Sequence, residues 1–277
     1  MKKSNSATAK SAALQSILAN IFAGVTIIIC FVVGYIVWKF VMGNPLNFQD
    51  NDPVHGHPIE GSILGMIYKG GIIVPVLMGL LLMAVTFSIE RFFMITRAEG
   101  KGSVGKFVKN VQKSVLSQNI DEAIELCDAQ KGTVANVVKS ALAKYQEVNA
   151  DGLDTEKAAE MIQGEIEGAT ALEMPALEKN MTIISTLVSL GTLMGLFGTV
   201  SGMIKAFSGL AAAGTPDAAA LANGISEALV NTATGIGTSI VSIISYNFFT
   251  AKIDTLTYFI DEAGAAITQA YRKSKSK

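Results

Sequence analysis

Charge is scarce in this 277-residue chain: 16% of residues are Asp, Glu, Lys or Arg, where a soluble globular domain carries about 25%. Histidine is scarcer still. His55 and His57 are the only two, which leaves almost no material for a His-based catalytic site. They sit as His-x-His in a Pro/Gly-rich loop, and a closed structural metal site takes about four ligands, so the pair reads as part of a solvated loop. The two cysteines, Cys30 and Cys127, give no CxxC spacing and no disulfide framework. There is no GxxxxGK phosphate loop, no nucleophile–base pairing and no interleaving of basic with aromatic residues. The chain is therefore expected to be no enzyme, to take no cofactor or metal and to bind no nucleic acid. No stretch alternates apolar and polar residues as a half-buried strand would.

Apolar length takes the place of charge. Half of the residues are hydrophobic, mean hydropathy is +0.42, and four separate runs account for it. A helix spans a bilayer with about 20 mostly apolar residues, so the expected fold is an all-α integral membrane protein with four transmembrane helices. A polar tail at 1–20 carries Lys2, Lys3 and Lys10. The first run, 21–42, exceeds the apolar core of a signal peptide, about 7–15 residues, and has no small-x-small cleavage site after it; it reads as a retained signal-anchor helix. Segment 43–71 holds turn formers and then an amphipathic piece whose Ile63, Leu64, Ile67 and Tyr68 suit a membrane surface. The second run, 72–95, has Pro75 in its first turn, where proline is tolerated. Segment 96–180 has helix-like periodicity throughout, with Asn119 as an N-cap. The third run, 181–208, and the fourth, 218–250, flank a short turn at 209–217, and each merges with polar helical sequence on one side. Pro175 is expected to bend the helix leading into the third run. Residues 251–277 end in a basic tail, Arg272, Lys273, Lys275 and Lys277.

The positive charges set the topology. Apart from Lys39 and Lys205 within apolar runs, they lie in 1–20, 91–180 and 251–277, whereas 43–71 and 209–217 together hold only Lys69. By the positive-inside rule both termini and the helical domain face the cytoplasm. The basic tail serves as that signal or as a contact with anionic lipid.

The third and fourth runs are both long enough to span and dense in small and hydroxyl residues. An unpaired polar group in hydrocarbon costs several kcal/mol, so this hairpin faces protein or water. Gly191-x3-Gly195 and Gly198-x3-Gly202 have the small-xxx-small spacing that lets transmembrane backbones approach closely. On the fourth helix Glu227, Asn231, Thr234, Thr238, Ser242 and Ser245 recur at three- and four-residue steps and share a face; Thr232, Ser239 and Tyr246 form a neighbouring stripe. In an antiparallel pair Thr199 and Thr232 lie about 14 Å and about 21 Å from the outer ends of their runs, at about 1.5 Å per residue. Both hydroxyls thus fall near mid-membrane, where they either face a pore or bond their own i−4 carbonyls. Glu227 is the sharpest functional candidate, since a charge near a helix centre costs about 2.5–3.5 kcal/mol; the alternative is a neutral or interhelically bonded carboxyl in a packing role. Lys205 can snorkel to the interface.

The run Gly195-Leu-Phe-Gly-Thr199-Val-x-Gly-Met203, then Ile225-Ser-Glu227-Ala-Leu-x-x-Thr232-Ala-x-Gly235, then Tyr246-Asn247, resembles the MotA/TolQ/ExbB proton-channel family, ExbB in particular. Ser62-x-x-Gly65-Met66 resembles the periplasmic start of ExbB-type chains, and the resemblance covers about residues 60–270. It implies a homopentamer in the inner membrane of a Gram-negative cell, with the third and fourth helices lining a central pore. In that pore would sit the single-span helices of an ExbD- or TolR-like partner dimer, whose membrane aspartate carries the proton. The resemblance places Thr199, Thr232 and Glu227, with Asn231, Thr238, Ser239 and Ser242, on the proton pathway. Gly191, Gly195, Gly198, Gly202 and Gly235 would serve helix packing. The implied output is proton-motive-force-driven work through a TonB-like transducer, with a TolQ-like or gliding-type motor subunit, or a non-conducting membrane scaffold, as the alternatives. Three features depart from the family pattern. The 21–42 helix is added to a three-span plan, and two prolines usual around the hairpin motif are missing.

Overall fold

The computed structural model describes residues 23–54, 56–213 and 218–275. The expected tail at 1–20, the first two residues of the 21–42 run, His55, part of the 209–217 turn and Lys277 lie outside the described residues. The chain is all-α. Among the described residues the extended structure amounts to one isolated bridge, Phe48 to Pro58. Four helical stretches are long and apolar enough to cross a membrane: Ala23–Met42, Ile73–Leu116, Thr155–Gly209 and Gly224–Lys275. The helices are α1 (Ala23–Met42), α2 (Ile63–Lys69), α3 (Ile73–Glu99), α4 (Val104–Leu116), α5 (Ile120–Gln130), α6 (Thr133–Ala150), α7 (Thr155–Glu178), α8 (Met181–Ala213) and α9 (Ala218–Lys275). They form two compact units, one made of residues up to Ser88 with Ile183–Ser245, the other of Ile89–Thr182 with Tyr246–Lys277.

In the first unit α1 packs on α3 through glycine. A Cβ on Gly34 would lie 2.9 Å from the Gly79 nitrogen, and one on Gly79 would run into the Phe31 ring. Cys30 Sγ lies 3.9 Å from Thr86 Oγ1. The last turns of α1, Val37–Met42, loosen into a π-helix. There Trp38 stacks on Tyr68 of α2 at 4.7 Å between ring centroids, and its indole N–H donates to the Tyr68 carbonyl at 3.2 Å. Phe48, fully buried, closes this cluster edge-on against Tyr68. The expected surface face of α2 is thereby divided: Ile63 and Leu64 stay exposed, while Tyr68 turns inward to the rings. Ser62 starts α2 by accepting from Gly65 N–H at 3.2 Å. Pro75 falls in the first turn of α3, where a missing N–H leaves no helical bond unmade.

The second unit follows the sequence periodicity. Val108, Val111 and Val115 of α4, Leu142 of α6, Ile162 of α7 and Ile260 and Ile267 of α9 are all buried. Asn119 caps α5, accepting from Glu122 N–H at 3.4 Å, and its side-chain amide donates to the Glu122 carboxylate at 2.9 Å. Asp154 caps α7 by accepting from Glu156 and Lys157 N–H. Pro175 lies inside α7, but the break in the path to the third span comes just after it. Lys179 is extended and Asn180 takes φ +61. Arg91, with no exposed surface, holds this junction. It pairs with Glu90 and donates to the carbonyls of Ala176 and Leu177 at 3.2 and 3.3 Å, acceptors that the end of α7 leaves without helical partners. Asn180 donates to the same Glu90 carboxylate at 3.3 Å.

Candidate functional site

The site is built where α8 and α9 cross inside the first unit. The two helices run antiparallel, and the spaced glycines bring their backbones into contact. A Cβ on Gly195 would lie 2.9 Å from the Asn231 carbonyl and 3.1 Å from Gly235 Cα; one on Gly235 would strike the Gly191 carbonyl; one on Gly191 would lie 2.7 Å from Ser239 Oγ. Farther along, Gly198 fits against the Asn231 side chain and Gly202 against Ala228, with added Cβ atoms at 2.6 and 2.7 Å. All five packing glycines expected from the sequence thus lie at this seam. The spacing works because a helix repeats its face every three to four residues.

At the centre of the crossing Thr199 and Thr232, both half-buried, touch hydroxyl to hydroxyl. Thr199 Oγ1 also lies 3.1 Å from the Ala228 carbonyl and 3.3 Å from that of Gly195. Thr232 Oγ1 lies 3.2 Å from the Gly195 carbonyl. Each hydroxyl has one proton to give. The hydrogen bond within the pair can therefore run in either sense: Thr199 donates to Thr232 while Thr232 donates to Gly195, or Thr232 donates to Thr199 while Thr199 donates to Ala228 or Gly195. Reversing one for the other moves no heavy atom, and both leave lone pairs that can accept from a group brought to the crossing. A second hydroxyl pair, Thr192 with Ser239 at 2.8 Å, lies one step along the seam.

The remaining stripe residues are placed differently. Asn231, Thr238 and Ser242 are buried within the chain. Thr238 Oγ1 donates to the Thr234 carbonyl at 3.1 Å and Ser242 Oγ to that of Thr238 at 2.9 Å. These are i−4 back-bonds that satisfy a hydroxyl inside a helix. Ser239 does the same to Gly235 at 3.2 Å. Asn231 reaches off the helix: its amide donates to the Gly70 carbonyl at 3.0 Å. Glu227, half-buried, lines a cavity of 280 Å³ together with Lys69 and Gly70 of the α2–α3 junction, Gly198 and Lys205 of α8, and Asn231. Lys69 and His57 both lie within electrostatic reach of its carboxylate. The contribution of Lys69 and Gly70 was not legible in the sequence, since they are separated from Asn231 by some 160 residues; the one local sign is a Lys-Gly-Gly step directly before an apolar run. Among the described residues no group of His, Cys, Asp and Glu could hold a metal ion.

An all-α membrane chain with a glycine-seamed, hydroxyl-bearing helical hairpin defines a class: polytopic membrane proteins whose spans pack on one another through small and hydroxyl residues. Comparison with known proteins makes it particular. Residues 129–262 match the MotA/TolQ/ExbB proton channel family. The chain is 27% identical over 207 residues to a putative biopolymer transport protein, ExbB-like 3, of Synechocystis sp., covering 74% of this chain and 92% of that protein. It is likewise 27% identical over 214 residues to the biopolymer transport protein ExbB of Neisseria meningitidis, covering 72% and 92%. It is 35% identical over 105 residues to the Tol-Pal system protein TolQ of Pseudomonas aeruginosa, covering 38% of this chain and 46% of that one. The matched stretch and these relatives together support the MotA/TolQ/ExbB proton-channel family for this chain.

Proposed function

We propose that this chain is the ion-conducting stator subunit of an inner-membrane motor, ExbB-like, that uses the proton motive force to energise TonB-dependent transport at the outer membrane. The observation that carries the reading is the Thr199–Thr232 pair. It is a polar contact whose hydrogen bond can run in either sense, set at a helix crossing that falls within the residues matched to the family. Exposed apolar residues on the same helices, Leu193, Phe197 and Val200 of α8 and Ile236 and Ile240 of α9, supply surface for neighbouring copies and lipid, which suits a homopentamer around a pore. A single-span ExbD- or TolR-like partner dimer in that pore would bring the acidic group that the two threonines accept from, and a TonB-like protein would receive the work. The lysines and arginines favour an orientation with both termini and the 96–180 helical domain in the cytoplasm. No covalent chemistry is assigned to the chain itself.

A Tol-type client is the second reading, favoured by the 35% identical stretch shared with a TolQ protein. A non-conducting scaffold is the third, favoured by the fact that both threonine hydroxyls already find backbone acceptors. Mild-detergent purification from native membranes separates client systems. A small co-purifying protein with one span, a membrane aspartate and a periplasmic domain is the expected result. The chain emerging alone would overturn the stator reading. Thr199→Val with Thr232→Val separates stator from scaffold: the stator keeps its oligomer and loses energised transport, whereas a scaffold keeps both.

A further inference from the structure

The 280 Å³ cavity beside Glu227 has a property that the family's motif does not account for. Asn231 is 1% exposed, and among the described residues its Oδ1 has no hydrogen-bond partner. The amide cannot be turned to remedy this. Its nitrogen donates to the Gly70 carbonyl at 3.0 Å, and reversal would set two acceptors against each other. The side chain is also held in place, because Gly198 lies so close that even a Cβ there would reach 2.6 Å from Asn231 Cβ. Gly70 serves the same end on the other side, where an added Cβ would fall 3.0 Å from Oδ1. Asn231 lines the cavity with its Oδ1 buried and unpartnered, and a buried acceptor left unmet costs about 1–3 kcal/mol.

We propose that this cavity is a water-holding vestibule inside each copy of the chain, in which ordered water donates to Asn231 Oδ1 and links it to the Glu227 carboxylate. The volume admits several waters at about 30 Å³ each. The charges select water over ions. Lys69 and Lys205 line the cavity with one carboxylate, Glu227, and Lys69 and His57 both act on that carboxylate; the surplus of basic groups disfavours a bare metal cation. The two acceptors, Asn231 Oδ1 and Glu227, disfavour an anion. Water can both donate to the acceptors and accept from the ammonium groups. The outer wall is held by several contacts. Lys69 Nζ donates to the Val54 carbonyl at 3.0 Å and lies 5.6 Å from the Phe48 ring centroid, and the preceding Tyr68 is stacked on Trp38. The added helix α1 therefore fixes one wall of the vestibule through its terminal tryptophan. The existence of the vestibule does not depend on the stator reading; its use as the outer approach for protons to the Thr199–Thr232 pair does.

The test is water access, read independently of transport. Ser201 and Ala206 both line the cavity. Ser201→Cys and Ala206→Cys would be made separately in a chain carrying Cys30→Ala and Cys127→Ala. The assembled complex in sealed membrane vesicles is then treated with the impermeant reagent sulfonatoethyl methanethiosulfonate on the side bearing the 43–71 loop. A thiol reacts as its thiolate, which needs water, so at least one variant should react within about tenfold of the rate of an exposed Glu60→Cys control. Adding Asn231→Leu, which keeps the shape of the side chain but removes its polar atoms and so disfavours water there, should slow that reaction by about tenfold or more. If both cysteines stay as silent as the cysteine-free parent while the oligomer keeps its size, the vestibule is refuted. Proton flux measured in the same vesicles keeps the two ideas apart: labelling without flux counts against the stator, and flux without labelling counts against the vestibule.

Discussion

Gly235→Ala and Gly237→Ala, two residues apart on α9, should behave oppositely, and the difference isolates the helix crossing. Both changes add one methyl to a helix interior, and both gain about 0.8–1.0 kcal/mol of helix propensity. At Gly237 the methyl meets nothing of its own chain within 4 Å. At Gly235 it would strike the Gly191 carbonyl and come 2.8 Å from Gly195 Cα. Both are backbone atoms with no rotamer to yield, so the helices must part. Overpacking of this kind costs about 1–3 kcal/mol. Because the propensity gain is common to both variants, the stability gap between them is that same cost, about 1–3 kcal/mol in favour of Gly237→Ala. Thermal unfolding of the purified chain in detergent, followed by helical circular dichroism, measures the gap. A second readout reports on the site itself. With Thr199→Cys and Thr232→Cys in place of the touching hydroxyls, oxidation should form a disulfide readily in the parent and slowly when Gly235→Ala is added. Equal melting temperatures for the two alanine variants, with equal cross-linking, would refute the close crossing.

Two further outcomes concern the second unit. Arg91→Ala leaves the buried carbonyls of Ala176 and Leu177 and the Glu90 carboxylate without their partner. Breaking a buried pair from one side costs about 3–5 kcal/mol, so limited proteolysis should open the chain near Lys179–Asn180 far sooner than in the parent; unchanged resistance would show that the junction is held otherwise. Cys127 is buried in α5, and burial first, then the neighbouring Asp128, pushes its thiol up to about 12. The folded value lies above the unfolded one, so the thiol favours the fold below the unfolded value, about 8.5, and that contribution is lost as pH rises from there toward 12. A maleimide at neutral pH should leave Cys127 unmodified until denaturant is added, and labelling of the native protein would contradict its burial.

What could be read from the sequence was what depends on period. The four spans, the amphipathic helices of segment 96–180 and the Asn119 cap follow from spacing and local hydrogen-bonding chemistry. So does the glycine seam, because small residues at four-residue intervals can only share a face. Period assigns residues to a face but not the direction in which that face turns. Asn231, Thr238 and Ser242 fall on one stripe with Glu227, yet the structure buries them within the chain and satisfies two of them by back-bonding. Glu90-Arg91 reads as charge at the end of an apolar run, and nothing local announces that Arg91 caps a helix some 85 residues later. Pro175 drew attention to the right region, but the turn itself falls on Lys179 and on Asn180, whose left-handed backbone suits asparagine better than most residues.

The manner in which α1 is attached bears on ancestry. Its glycine contact at Gly34–Gly79 and its stacked tryptophan are made with α3 and α2, whereas the glycine seam, within the residues matched to the family, is made by α8 and α9. A helix joined in this way could be acquired by a lineage, altered or discarded while the inherited hairpin kept its own packing problem already solved. Selection on the two parts is then partly independent. Trp38, Phe48 and Tyr68 should change together across descendants that keep the extra span, and drift in those that have lost it.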